Sequence, residues 1–315
     1  MNIDSSHPIV VTGAAGLVGQ NLLLMLAELG YRRLIALDKH AQNLETLRKQ
    51  VPAATVETAD LAEPGAWERH FTSDAVVIML HAQITSSTPE PFIRNNVTAT
   101  ERLLDVLQRR QCKFLVHISS SVVISVADDD YTRTKRAQEE LVRASRLRYC
   151  VLRPTLMFGW FDPKHFGWLS RFMARTPVFP IPGDGKYLRQ PLYIRDFCRM
   201  IIWCIEQQPD GQTYDVVGDE RIHYVDIIQQ IKAAKGLRTS IVHIPYRLFG
   251  YLLRTYAFFS RRPPFTADQL KALAAGDDFK GVDTEAVFGV RQTPFTDAIR
   301  ETFCDPRYSN ILVER

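Results

Sequence analysis

Ile9-Val10-Val11-Thr12-Gly13-Ala14-Ala15-Gly16-Leu17-Val18-Gly19 is the stretch that decides the fold of this 315-residue chain. Ile9 to Val11 are β-branched and apolar, as in a strand buried on both faces. Gly13, Gly16 and Gly19 follow at a three-residue step. They serve in turn a tight turn, close approach of backbone to a pyrophosphate, and packing of helix on strand. The amides that open the helix at Gly16 face the phosphates, backed by the positive end of the helix dipole. The next apolar run, Leu34-Ile35-Ala36-Leu37, ends in Asp38, nineteen residues after Gly19. A carboxylate there accepts hydrogen bonds from adenosine ribose hydroxyls. It also repels a 2′-phosphate, which favours NAD over NADP, a preference softened by Lys39 and His40.

Outward from this unit, strand and helix alternate through residue 119. Helices are expected over 16–29, 41–49, near Trp67 and over 93–109, and strands over 33–38, 55–58, 75–80 and 114–118. Such alternation predicts an α/β fold, a doubly wound parallel sheet with right-handed crossovers. Ligands then sit beyond the carboxyl ends of the strands, the edge that collects Gly13, Asp38, Asp60, His81 and Ser119 to Ser121. A helix over 131–145 and a strand over 149–152 follow. Past Arg153-Pro154 the composition shifts to Trp160, Phe161, Phe166, Trp168, Phe172 and Phe179 among Pro and Gly. The expected division is a dinucleotide-binding part, 1–155, with 190–218 returning to it, and a smaller C-terminal substrate lobe, 156–315.

Hydrophobic residues make up 46% of the chain and charged ones 23%, with a net charge of +4. This is ordinary globular composition, with no basic tail suited to nucleic acid. Five cysteines without paired spacing read as buried thiols in a reducing compartment, and no His/Cys cluster has metal spacing. No secretory leader and no apolar run of the ~18 residues that span a membrane is present, so a cytoplasmic soluble protein is expected. Tyr246 to Phe259 stands apart, rich in Leu, Phe and Tyr with Arg247, Arg254, Arg261 and Arg262 around it. Core-facing helices are commoner than interfacial ones, so packing over the substrate cleft is expected. The alternative is weak membrane-surface contact through 246–262.

Tyr131 and Lys135 lie four residues apart, one turn on one helix face. Removing a proton from an alcohol needs a base near neutral pH, and a free phenol near 10 is too weak. A neighbouring ammonium and a cationic nicotinamide both favour the phenolate. Lys135 can also hold the nicotinamide ribose. The hydroxyls of Ser119-Ser120-Ser121, at a strand end on the ligand edge, can steady the reacting oxygen.

With these residues in place, the sequence resembles the extended short-chain dehydrogenases/reductases, of the NAD-dependent epimerase/dehydratase type that works on nucleotide sugars. Their fold is a Rossmann-type sheet. Thr12 to Gly19 matches the family's glycine motif, implying cofactor contacts at Gly13, Ala15, Gly16, Leu17 and Val18. Asp38 matches its ribose-binding acid, and Asp60-Leu61 the pair beside the adenine. His81-Ala82-Gln83 stands where a short motif lies against the cofactor. Asn96-Val97-Thr98-Ala99-Thr100 resembles Asn-Val-x-Gly-Thr, with Ala99 for glycine. Ser119 and Pro154 complete the implied cofactor set. Ser121, Tyr131 and Lys135 match the catalytic triad, with Ser121 also facing substrate, and Arg189 matches the arginine that holds the substrate's diphosphate, a role its guanidinium fork suits. A homodimer is implied.

Two departures shape the expectation. Only nine residues separate Ser121 from Tyr131, and they include Asp128-Asp129-Asp130, which oppose ionisation of Tyr131 unless they point to solvent. Val122-Val123 replaces the Asp-Glu pair of sugar dehydratases, which ranks epimerisation or plain redox above dehydration. The leading expectation is therefore NAD-dependent chemistry on a secondary hydroxyl of a nucleotide-sugar. The alternatives are a dehydrogenase or keto-reductase of a hydrophobic, steroid- or lipid-like alcohol, and a non-catalytic accessory subunit. Pro263 to Leu270 resembles relatives with hydrophobic partners.

Overall fold

The computed structural model describes residues 6–126, 128–259 and 278–314. The Pro263–Leu270 stretch, Arg261 and Arg262 lie outside them. Seven parallel strands form the central sheet in the order β11-β6-β5-β4-β1-β2-β3. They are β1 (Ile9–Thr12), β2 (Leu34–Asp38), β3 (Thr55–Thr58), β4 (Val76–Met79), β5 (Phe114–Ile118), β6 (Tyr149–Pro154) and β11 (Gln212–Val216). The last of these pairs with β6 from Gln212↔Cys150 to Val216↔Pro154. The order reverses at β1, where neighbouring crossovers run to opposite faces and open a crevice at the strand ends. Register sets Thr12 level with Leu37 and Met79, and Met79 level with His117. The chemistry-bearing residues that follow those positions therefore share one edge.

Helices cover both faces: α1 (Leu17–Glu28), α2 (Ala41–Gln50), α4 (Ala99–Arg109), α5 (Asp130–Ala144) and α7 (Ile194–Gln207). The helical run expected from Ile93 begins earlier, at the single turn α3 (Glu90–Phe92), and passes through a π-helical segment, Ile93–Thr98, before α4. Such a segment re-aims side chains inside a helix and recurs at functional sites. Here it carries the fully buried Asn96.

Beyond the sheet lie α6 (Phe166–Arg175), α8 (Tyr224–Ala234), α9 (Tyr246–Phe259), α10 (Thr284–Phe288) and α11 (Phe295–Cys304). Short strand pairs join them: β7 (Met157–Phe158) with β10 (Leu192–Tyr193), β9 (Leu188–Arg189) with β12 (Ile222–His223), and β8 (Val178–Pro182) with β13 (Ser240–Ile244). The aromatic segment closes on itself: the Phe158 ring lies 4.9 Å from Phe166, 5.5 Å from Tyr193 and 5.4 Å from Phe295. One buried apolar cluster runs from β1 and α1 through α7 into α6, α8 and α11, and a second lies under α4 on the other face of the sheet.

The described residues of α9 belong to neither cluster. One expectation is corrected. Among the cysteines, Cys150, Cys198 and Cys204 are buried, but Cys304 is exposed and Cys112 half-buried. No helix among the described residues is long and apolar enough to cross a membrane.

Candidate active site

At the first edge of the crevice, the glycine loop is set by missing atoms. Gly13 has φ +71°, and a Cβ there would stand 2.6 Å from the His81 backbone nitrogen. A Cβ on Gly19 would stand 2.5 Å from the Ala14 carbonyl oxygen, so the helix lies directly on the loop. Gly16 begins α1 in an extended conformation with no side-chain cap. The first amides of α1, those of Leu17 and Val18, thus lack intrahelical acceptors and face outward from the strand end. The Asp38 carboxylate accepts from the Ala15 amide (3.0 Å) and from the His40 amide (2.9 Å). It braces the glycine loop and keeps lone pairs for a ribose. Uncapped amides, a loop no side chain could enter and a carboxylate on the neighbouring strand fit a dinucleotide.

Asp60 accepts from the Ala62 amide (3.0 Å) and the Arg94 guanidinium (2.7 Å), which hold its carboxyl below the usual range against the opposing cost of its partial burial. Leu61 is buried beside it. The loop His81-Ala82-Gln83 is clamped from behind. The Asn96 side chain accepts from the Gln83 amide (2.6 Å) and donates to the Gln83 carbonyl (3.1 Å) and the Thr134 hydroxyl (3.0 Å). Asn96 and the His81 ring, expected from sequence among the cofactor residues, brace the His81–Gln83 loop from within the protein. Pro154 ends β6 opposite Val216.

His81 turns its ring inward. Nδ1 lies 3.0 Å from the Thr12 hydroxyl and Nε2 lies 3.2 Å from that of Thr100. Gln138 donates to the Thr100 hydroxyl (2.9 Å), and Thr12 reaches the Ile78 carbonyl. One direction of donation satisfies every member: Gln138 to Thr100, Thr100 to Nε2, Nδ1–H to Thr12, Thr12 to Ile78. Burial, first of all, and then the nearby lysines push the His81 ring down to about 3.

Lys135 enters the same network. It is 1% exposed and donates to the Ile118 carbonyl (3.0 Å) and to Gln138 Oε1. Burial lowers its ammonium to about 7, against the opposing pull of Glu139. Tyr131 is half-buried, and loss of solvent raises its phenol. Ser120 beside it favours the phenolate, while the charge of Asp129 opposes it.

The three serines divide their work. Ser119 donates to the Glu139 carboxylate (2.7 Å), whose other neighbours are Arg153 and Arg143. Ser120 meets Tyr131 and also caps the following turn through the Val122 amide. Ser121 opens that turn, 8% exposed. Of the three serines, Ser120 is the one beside the phenol.

The three aspartates are largely spent elsewhere. Asp129 caps α5 through the Thr132 amide (2.8 Å), and Arg133 pairs with Asp130 (2.6 Å) and Asp128 (3.4 Å). Arg189, on β9, lies beside the half-buried Tyr224, whose phenol is raised by loss of solvent and drawn down less by the Arg189 charge. Gln138, Glu139 and Thr100 were missed from sequence. Gln138 and Glu139 follow Lys135 by three and four residues, so the helical spacing already placed them on its face.

A Rossmann-type crevice with half-buried Tyr131 and Ser120 at its edge fits a dinucleotide-dependent enzyme class. The family model of the NAD dependent epimerase/dehydratase family matches residues 9–217, and the chain belongs to that family. It is an NAD-dependent enzyme of this type. A ceramide reductase of Caulobacter vibrioides is 28% identical over 225 residues, 68% of this chain and 69% of the relative. A dTDP-glucose 4,6-dehydratase of Xanthomonas campestris is 26% identical over 264 residues, 71% and 75% of the two chains. In fold the chain is similar to the UDP-glucose 4-epimerase of Thermotoga maritima, solved with UDP-glucose. The TM-score is 0.74 at 19% identity, over 94% of this chain and 97% of that one.

Proposed function

We propose that the protein oxidises and re-reduces a secondary hydroxyl of a nucleotide-sugar, as an epimerase or a net oxidoreductase, with Tyr131 as the proton-transferring group. The observation that carries this reading is the placement of Ser120 and Tyr131 beyond β5, across one sheet edge from the glycine loop and Asp38 beyond β1 and β2. Bound NAD supplies the hydride acceptor and donor. Tyr131 takes the hydroxyl proton and returns it, while Ser120 holds the substrate oxygen. Lys135, anchored to Ile118 and Gln138, holds the floor of the site and lies within the helix face that meets the nicotinamide end. Arg189 takes the diphosphate. Residues 1–155 with 190–218 serve the cofactor and 156–315 the substrate, in a homodimer.

A second reading has its own support. Burial and Asp129 keep the phenol protonated, which suits it to donate a proton to a carbonyl. The ceramide reductase relative favours the same direction on a hydrophobic ketone. The experiment runs purified protein against UDP-, GDP- and dTDP-sugars with NAD, and against long-chain ketones with NADH, beside Tyr131→Phe. Sugar turnover lost in the variant supports the first reading, and NADH consumption on ketones alone supports the second. Equal turnover by variant and wild type, or none with any substrate, overturns both.

A further inference from the structure

The helix α9 has a face that nothing among the described residues covers. Tyr246, Leu248, Tyr251 and Leu252 are 39%, 50%, 65% and 47% exposed. At 100° per residue Leu248, Tyr251 and Leu252 share one side with Arg247. Val242 of β13 and Val178 of β8, in the two-stranded sheet that leads into α9 through Pro245, are exposed as well. These six make up half of the exposed large hydrophobic residues described. A patch concentrated in this way marks an interaction surface.

Charge identifies the partner. Residues 236–259, from the turn before β13 through α9, hold Arg238, Arg247 and Arg254 and no acid. Arg238, just before β13, and Arg247, in the first turn of α9, are exposed. Asp184 and Lys186, in the turn after β8, are exposed at the same end and offset one another. Tyrosines seat at the headgroup level of a bilayer, leucines reach its acyl boundary and arginines meet anionic headgroups. A second copy of the chain would set like charge against like charge. The fourteen residues of α9 are about 21 Å long at 1.5 Å per residue, short of a bilayer core of about 30 Å. The helix can therefore lie on a membrane but not span it.

We propose that α9, with the β8/β13 edge, docks this protein flat on an anionic lipid surface. This surface is independent of the substrate reading above. The test sediments the full-length protein with vesicles of phosphatidylcholine alone or with about one third phosphatidylglycerol. Wild type should bind the anionic vesicles and be released several-fold by ~0.5 M salt. The combined Leu248→Asp, Tyr251→Asp and Leu252→Asp variant should partition about tenfold less or weaker. NAD binding and Tm of the variant, unchanged, establish that it is folded; Arg238→Gln with Arg247→Gln, a milder pair, should weaken only the anionic-vesicle binding. Wild type that stays in the supernatant, or a triple variant that binds equally, overturns the proposal. So does a wild-type dimer that the triple variant splits in light scattering while neither binds vesicles, since the face is then a protein contact.

Discussion

The two edges of the crevice are held in different ways. At β1, α1 and β2 the structure depends on atoms that are absent: Gly13 and Gly19 allow approaches that any Cβ would block. At β5 and α5 it depends on side chains that find partners: Lys135, Gln138, Thr100 and His81 bond one another out of water, and Glu139 gathers two arginines and a serine. The first edge tolerates no added bulk. The second tolerates bulk better than loss of a partner, because a buried polar group left alone retains its full desolvation cost.

Substitutions can break this contrast. Tyr131→Phe keeps the packing and removes only the phenol oxygen, so it should lower kcat by about 10²–10⁴-fold with little change in Tm or NAD affinity. Glu139→Ala leaves half-buried Arg153 with Asp215 as its remaining carboxylate (3.4 Å). It should cost about 1–3 kcal/mol of stability by denaturant titration, since partly exposed Arg143 regains water while Arg153 regains less. Gly13→Ala should cost about 1–3 kcal/mol and weaken NAD binding measured by calorimetry, because its φ and the His81 backbone both oppose a methyl group.

Titration sharpens the contrast further. Lys135 holds its proton in the unfolded chain up to about 10.5 but releases it near 7 when folded. Between these values the unfolded chain binds more protons, so stability should rise with pH. Thermal melts across that window should flatten in Lys135→Met. His81, taken from 6.5 down to about 3, should likewise make stability fall as pH drops through that lower range, and His81→Gln should reduce the fall.

This difference also sets what could be read from the sequence. Glycine spacing reports backbone clearance, so the loop, Asp38 and the parallel sheet follow directly from the opening stretch. The Tyr131–Lys135 spacing fixes a helix face, and the structure keeps both on it. It does not fix partners. Which serine lies beside the phenol, and the turning of Lys135 toward Ile118, are decided by tertiary hydrogen bonds that no local pattern encodes. Asn96 and His81 were legible as belonging to the site but not as its supports, because the same polar residue type serves either role. The α9 helix has an apolar content that its sequence shows plainly. That its described residues join neither cluster depends on what the rest of the chain already covers.

The most direct test of the central claim compares initial rates of Ser120→Ala and Ser121→Ala with wild type, on whichever substrate of the panel wild type turns over. The Tyr131–Ser120 pair predicts a loss of about 10²-fold or more in kcat for Ser120→Ala and a change within about threefold for Ser121→Ala. The reverse order, or two equal losses, would contradict it.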